Sequence, residues 1–313
     1  MGTTSKITGA LATAINKVSG TVISGLANIM GQTISLFTNT NAVAKSITTG
    51  TAQAVYVADS NSMGVEWDQD DDFSISFWIK PGWDGDLNTN IHLFSMSDVG
   101  GGVNSDTFRI WYDDGNNRLN VQWRSGGSQR KHNFWTFHSN SGSYAPAYAA
   151  AGCGTAYWNA DNDDCNTGDD GYVLITFCKG ALDSAADTNI DMYWNGTTLG
   201  TSHYTNGNHT TPGVPAMGNN DKQIFLGSAS WSSYHKSGNN NETKFDGVTM
   251  WDTKLDATDV ANLWNGGTPI NATTHAKAGD YLRGYWEFES DGTATVGENM
   301  VSLPNGNSNI EAR

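Results

Sequence analysis

The fold is decided by one stretch, Asp72-Phe-Ser-Ile-Ser-Phe-Trp-Ile-Lys-Pro81. Its residues alternate between two faces, with Phe73, Ile75, Phe77 and Ile79 on one and Ser74, Ser76, Trp78 and Lys80 on the other. A period of two with aromatic and β-branched residues predicts a strand that packs on a core. Trp78 is the exception on the polar face, so we expect it either under a second layer or in an exposed groove. We predict that this strand lies inside a two-sheet sandwich.

The composition is typical of a β-protein with a large negative charge. Of 313 residues, 36 are Gly, 6 are Pro and 16% are charged, which suits strands and turns better than helices. The net charge of −15 argues against nucleic acid and against anionic membranes as partners. It fits a surface exposed to salt water or to divalent cations.

The sequence predicts neither a membrane span nor a secretory signal. No apolar run approaches the roughly 18 residues that a transmembrane helix needs, and Lys17 interrupts the N-terminal pattern. If the protein works outside a cell, we expect release by another route, such as lysis.

The three cysteines are not a disulfide framework, because their number is odd. Cys178 lies in an apolar run, and we expect it to be buried like a small hydrophobic residue. Cys153 and Cys165 flank a polar loop and could pair in an oxidising setting. No CxxC motif accompanies them, which argues against a zinc site.

Residues 1–50 differ from the rest of the chain. They contain Lys6, Lys17 and Lys45 but no acidic residue, so this segment carries +3 and the remainder −18. The segment is either a disordered leader or an arm that becomes ordered on a partner or on a neighbouring copy. We favour the arm, because the segment is too apolar for a good linker and too short for its own core.

The remaining chain alternates strand patterns with polar loops. Predicted strands lie at 54–57, 91–95, 107–112, 119–123, 172–178, 189–194, 223–227, 245–251 and 282–288. The pair 107–112 and 119–123 predicts a hairpin, and Asn195-Gly196 predicts a tight turn. A short helix is predicted at 255–264, with Asp256 as its N-cap and Asn265 at its end. No strand pattern covers 125–170, where we expect a long irregular excursion.

Five of these segments resemble, in order, the motifs of laminin-G-like, concanavalin A-like jelly-roll domains. They are 72–81, 172–179, 190–196, 223–227 and 245–267. The resemblance implies an all-β, concanavalin A-like jelly-roll sandwich of two antiparallel sheets, with one short helix and an extended N-terminal arm. It divides the chain into an assembly or attachment arm at 1–50, a sandwich at 51–289 and a peripheral tail at 290–313.

Two other stretches resemble virion structural proteins of marine tailed phages. They are Tyr285-Trp-Glu-Phe288 and the run from Lys17 to Gly31. The resemblance implies a non-enzymatic virion protein, either a capsid decoration protein or a fibre-like appendage. Its arm would bind other virion proteins, and the chain would form a homo-oligomer on an extracellular particle. Its sandwich would face outward to bind a cell-surface glycan or a protein. A generic adhesin fragment is a further alternative.

Because the resembling fold also hosts glycoside hydrolases, the main alternative is a secreted carbohydrate-binding module or glycoside hydrolase. Such hydrolases need two carboxylates, which the laminarinase-type members carry as Glu-x-Asp-x-x-Glu. The nearest stretch, Glu66-Trp-Asp68-Gln-Asp-Asp71, lacks the second Glu. Glu287 and Glu289 alternate on a predicted strand, although a solvated edge explains them as well. No nucleophile motif or phosphate-binding loop is present, and we predict that the chain is not an enzyme.

Calcium is the cofactor that the resemblance implies, with Asp246 as the carried-over ligand and Asp59 as a second one. Gly247 departs from the family pattern, which usually has Glu there. A second acidic cluster within 161–170 is interpreted as a hydrated loop.

Sugar rings stack on aromatic side chains, so aromatic residues are candidates for glycan binding. Trp111 and Trp123 belong to this group, but each of its members could instead pack in the core or between subunits. The predicted ligand-binding residues are Trp135, Trp231, Tyr234 and His235. Trp135 and Trp231 come first, because they lie in polar loops.

Overall fold

The computed structural model describes 71–81, 90–98, 107–113, 118–125, 128–135, 171–181, 189–200, 222–227, 241–288 and 294–299. It also describes the backbone of the strands at 41–46, 55–57, 203–204, 301–302 and 309–311. For 98, 125, 128–135, 222 and 241–242, likewise, only the backbone is described.

The strands of this part of the chain are numbered in order. They are β1 Asn41–Ser46, β2 Val55–Val57, β3 Phe73–Lys80, β4 Asn90–Asp98, β5 Thr107–Asp113, β6 Arg118–Ser125, β7 Ser128–Trp135, β8 Val173–Lys179, β9 Ile190–Trp194, β10 Thr197–Thr198, β11 His203–Tyr204, β12 Lys222–Leu226, β13 Asn241–Trp251, β14 Leu282–Trp286, β15 Val301–Ser302 and β16 Asn309–Glu311.

Within the described residues, these strands form two antiparallel sheets. Sheet A has the order β10-β9-β8-β3-β13-β1-β16, and β14 also pairs with β13. Sheet B has the order β11-β7-β6-β5-β4-β12-β2-β15. The chain passes from sheet A to sheet B after β3 and returns at β8, so strands distant in sequence become neighbours. The predicted all-β class, a jelly-roll sandwich of two antiparallel sheets with a short helix, is confirmed.

The core lies between the sheets and begins with the predicted alternation of β3. Phe73, Ile75, Phe77 and Ile79 are fully buried and belong to one apolar cluster. Across the core, the centroid of the Phe73 ring lies 5.5 Å from that of the Phe108 ring of β5, and the two rings meet edge to face. Burial of each of these side chains contributes about 1.5–3 kcal/mol to the stability of the fold. The strand β3 is also central in sheet A, where it lies between β8 and β13.

Sheet B contains a strand that the sequence analysis missed. Residues 128–135 were expected to lie in an irregular excursion, but they form β7, which pairs with β6 from Arg118 opposite Trp135 to Ser125 opposite Ser128. The prediction was wrong because it relied on apolar alternation, and β7 is largely polar. A local signal did exist, since the sequence Gly126-Gly127 favours a two-residue hairpin connection.

The predicted helix is confirmed as α1, Ala257–Trp264. The Asp256 side chain accepts hydrogen bonds from the backbone of Thr258 and Asp259, and the Asp259 carboxylate accepts one from the backbone N–H of Asp256. This capping box satisfies donors that a helix otherwise leaves unpaired. Asn265 ends α1 in the left-handed conformation, with φ of 45°. A shorter helix, α2, spans Ala278–Tyr281.

The segment that contains α1 covers the outer face of sheet A. The Trp264 ring stacks on that of Trp78 with centroids 5.2 Å apart and planes at 24°. Ser74 Oγ donates to the carbonyl of Thr253 and accepts from the backbone of Leu255, both at 2.9 Å. Trp78 is only 3% exposed. Trp78 is therefore buried under a second layer, which was one of the two expectations, and it does not lie in an exposed groove.

The Asn-Gly turn is also confirmed, and it touches the same layer. Asn195 and Gly196 both have positive φ, at 49° and 77°, between the paired strands β9 and β10. A Cβ on Gly196 would lie 2.9 Å from the Cβ of Trp264. Glycine is thus required there for both conformation and space.

Other predictions concern the chain ends, the cysteines and the membrane. Cys178 is buried with a free thiol, as expected, while Cys153 and Cys165 lie outside the described residues. The strand β1 pairs with β13 and comes from the predicted arm, and β15 and β16 come from the predicted tail. The division of the chain into arm, sandwich and tail stays a prediction. Among the described residues no helix is long and apolar enough to cross a membrane.

Candidate functional site

The outer face of sheet B carries a layer of planar polar side chains. Because core residues alternate with outward ones along β4, β5 and β6, these side chains line up in rows across the strands. We call this surface the polar face and define it by Asn90, His92, Arg109, Trp111, Asp113, Arg118, Asn120, Gln122 and Arg124. Its charged residues and His92 are half-buried, whereas Trp111, Asn120 and Gln122 beneath them are buried.

Trp111 is held in place from several sides. Its Nε1 donates to Oδ1 of Asn90 at 3.1 Å, and the Arg109 guanidinium lies 4.8 Å from its ring centroid. The His92 ring is 6.3 Å away at a tilt of 42°. Only 4% of Trp111 is exposed, so it supports the neighbouring polar groups rather than offering an open stacking platform.

Arg109 is oriented by two contacts and placed near a like charge. Its Nε donates to Oε1 of Gln122 at 2.7 Å, in addition to its contact with Trp111. Burial, and then the positive charge of Arg124, lower the pKa of Arg109 to about 10. Arg109 therefore stays charged at neutral pH, but part of its hydration is lost.

A salt bridge between Arg118 and Asp113 lies at the end of the polar face where β5 ends and β6 begins. Nε and Nη2 of Arg118 lie 2.9 and 2.8 Å from Oδ2 of Asp113, its cross-strand partner. The carbonyl of Arg118 accepts from Nδ2 of the buried Asn120 at 3.4 Å. The bonds to Asp113 limit the rotamers of the Arg118 side chain, which can therefore present fixed donors to a ligand.

The predicted ligand-binding residues fall largely outside what the structure describes. Trp231, Tyr234 and His235 lie outside the described residues, so their grouping stays a prediction. Trp135 is the last residue of β7, where its backbone is opposite Arg118 of the polar face. Of the two other tryptophan candidates, Trp111 lies on the polar face, whereas Trp123 lies in the core, 5.1 Å from Phe108 between ring centroids.

Arg109, Asn120, Gln122 and Arg124 are polar-face residues that sequence reasoning missed. A signal was present, since they alternate with the apolar residues of the predicted hairpin at 107–112 and 119–123. Polar residues on an outward strand face are ordinary, however, and only the cross-strand register shows which of them adjoin.

The calcium prediction concerns the outer face of sheet A. Asp246 is fully buried there, opposite Trp78, and its Oδ1 accepts from the backbone N–H of Gly247 at 2.7 Å. Gly247 has φ of 50° at an irregularity of β13, a conformation that a Glu would adopt only with strain. Asp59 lies outside the described residues. Among those described, no three His, Cys, Asp or Glu side chains form a metal-binding group, and calcium stays a prediction.

Glu287 does not behave as a solvated edge residue. It is half-buried beside Tyr285, and burial followed by the Glu287 charge raises the pKa of that tyrosine above its ordinary value. Glu289, its predicted partner on the strand, lies outside the described residues.

No protein-family model and no curated protein sequence matches this chain. Three similar solved structures are a botulinum neurotoxin type C, a pentraxin and a candidate carbohydrate-binding protein. The neurotoxin, whose cell entry is dependent upon interaction with two ganglioside molecules, matches at 13% identity and a TM-score of 0.44, covering 71% of this chain and 42% of that one. The heptameric SAP-like pentraxin from Limulus polyphemus matches at 11% and 0.37, covering 71% and 82%. The candidate carbohydrate-binding protein from Bacteroides ovatus matches at 11% and 0.43, covering 84% and 58%.

The chain thus spans 42% to 55% of the length of the neurotoxin chains that it matches. Similarity this distant identifies no family, ligand or activity for this chain.

Proposed function

We propose that this chain is a non-enzymatic binding protein and that the polar face of sheet B takes a glycan. The observation that supports this proposal is the layered construction of the face. Buried Trp111 and Gln122 hold half-exposed Arg109 in a defined position, and Asp113 does the same for half-exposed Arg118. Fixed guanidinium and amide groups are the partners that sugar hydroxyls need, because each offers directed donors or acceptors.

The polar face suits a sugar better than a protein surface. Protein interfaces usually centre on apolar and aromatic side chains that become fully desolvated. Among the residues that the structure describes, Tyr281 is the exposed large apolar side chain, at 39%, and it belongs to α2 rather than to the polar face. Without an apolar centre, directed hydrogen bonds have to supply the recognition.

The available carboxylates support binding over hydrolysis. Glycosidic bond cleavage needs two carboxyl groups about 5–10 Å apart, one of them free to exchange protons. In the described part of the polar face, Asp113 is the one carboxylate, and it is engaged by Arg118.

The setting that we propose is the virion of a tailed phage, where the chain is a capsid decoration or fibre-like protein. This part of the proposal rests on the two sequence stretches that resemble phage virion proteins and on the basic segment at 1–50. Light scattering of the full-length chain tests it, and we expect the mass of a homo-oligomer. A monomer at all concentrations would contradict arm-mediated assembly.

Binding is tested by screening the full-length chain on a glycan array, in calcium and in EDTA, followed by calorimetry with the best ligand. Arg118→Gln is the test variant, and Arg283→Gln is its matched control, because Arg283 forms a similar pair with Asp252 at 3.2 Å away from the polar face. We expect at least a tenfold loss of affinity for Arg118→Gln and less than a twofold change for Arg283→Gln. Equal effects of the two variants would place the ligand elsewhere.

A further inference from the structure

The polar face is a positive region on an acidic protein. Arg109, Arg118 and Arg124 lie on its described part together with a single carboxylate, Asp113. This gives a local surplus of two positive charges in a chain whose net charge is −15. The surplus is concentrated at one end, because Asp113 pairs with Arg118.

Within the described residues, Arg109 and Arg124 form a pair of positive charges without a carboxylate partner. Arg109 is opposite Gln122 in the register, and Arg124 is two residues beyond Gln122, which makes the two arginines diagonal neighbours across β5 and β6. Side chains at such positions reach each other, and their charges repel. In β7, the backbone of Lys131 is opposite Gln122 in the register.

Neither arginine meets a carboxylate among the residues that the structure describes. Arg109 contacts Gln122 and Trp111, while Nε of Arg124 is buried with no hydrogen-bond partner. A half-buried guanidinium without a counter-charge is costly, because desolvation is not offset by an ion pair. A chain with 32 acidic residues had carboxylates available to neutralise this pair.

We propose that Arg109 and Arg124 bind the carboxylate or sulfate group of an acidic sugar, so that the glycan taken by the polar face is anionic. This inference rests on the proposed glycan-binding function and names its ligand class. Two guanidinium groups side by side offer several N–H donors to the oxygens of one anionic group, and such charge-assisted bonds are about twice as strong as neutral ones.

The test compares matched polymers that differ in charge. Binding of the full-length chain to dextran, to dextran sulfate and to the carboxylated glycan hyaluronan is measured by calorimetry at low and at high salt. We expect at least tenfold tighter binding to one of the acidic polymers than to dextran, with a marked loss at high salt. Equal affinity for dextran and for both acidic polymers would overturn the inference and leave the proposed function intact. Binding of no glycan at all would overturn both.

Variants locate the anion. Arg124→Gln should lower the affinity for the acidic polymer at least tenfold without changing that for dextran, and Arg124→Lys should restore part of it. Arg109→Gln should act in the same direction, and Arg283→Gln on sheet A is the control. Unchanged affinity in Arg124→Gln with intact folding would contradict the assignment. If inorganic sulfate binds at the same site while neither acidic polymer does, the site is a simple anion site and the glycan assignment is wrong.

Discussion

The outer faces of the two sheets are built from the same kind of alternating strand but are completed differently. On sheet A, the chain's own segment 252–281 covers the face, with Trp264 on Trp78 and the His275 ring 5.1 Å from that of Trp251. On sheet B, the described outer side chains include arginines, amides and a salt bridge around the rings of His92 and Trp111. The outer face of sheet A therefore contributes to stability through apolar burial, while that of sheet B maintains polar groups in fixed positions at some cost to stability.

The largest expected effect comes from opening the covered face. Trp78→Ala removes a buried indole and its stacked partner contact, and we expect a loss of about 3–5 kcal/mol in the free energy of unfolding. Urea denaturation measures this loss. Tyr281→Ala is the control, because that side chain is exposed and should change the free energy by less than about 0.5 kcal/mol. A loss below 1 kcal/mol for Trp78→Ala would show that the cover contributes little.

A smaller effect separates backbone strain from crowding at the edge of the cover. Gly196→Ala introduces a side chain at φ of 77° and against Trp264, whereas Gly200 has φ of 89° with open space around it. We expect losses of about 2–4 kcal/mol for Gly196→Ala and about 1–2 kcal/mol for Gly200→Ala in chemical denaturation. Equal losses would mean that Trp264 moves aside freely.

The smallest effect is expected on the polar face, with the opposite sign. Arg124→Gln relieves the repulsion of Arg109, so the free energy of unfolding should stay unchanged or rise by a few tenths of a kcal/mol, about 0.3. Arg283→Gln, which breaks an ion pair, should lower it by about 0.2–1 kcal/mol. A loss of more than about 1 kcal/mol for Arg124→Gln would show that Arg124 has an internal counter-charge. The claim that the polar face is maintained at a cost to stability would then be wrong.

Local patterns predicted much of the fold. The alternation in 72–81, the Asn195-Gly196 turn and the capping residues Asp256 and Asn265 all appear where expected, because each depends on neighbours within a few residues. The strand β7 was missed, since its partner β6 rather than its own apolar pattern defines it. The candidate site was found only in part, as Trp111 was named but Arg109 and Arg124 were not.

The sequence by itself determined which apolar segments with alternating side chains are strands, where the helix begins and ends, and that Trp78 breaks the polarity of its face. Periodicity and capping are local, so they can be read without knowing the partner strands. Only the tertiary structure decided that Trp264 covers Trp78 and that Arg109 and Arg124 become diagonal neighbours. Those outcomes depend on helix packing and cross-strand register, which join residues whose separation along the chain leaves no local pattern.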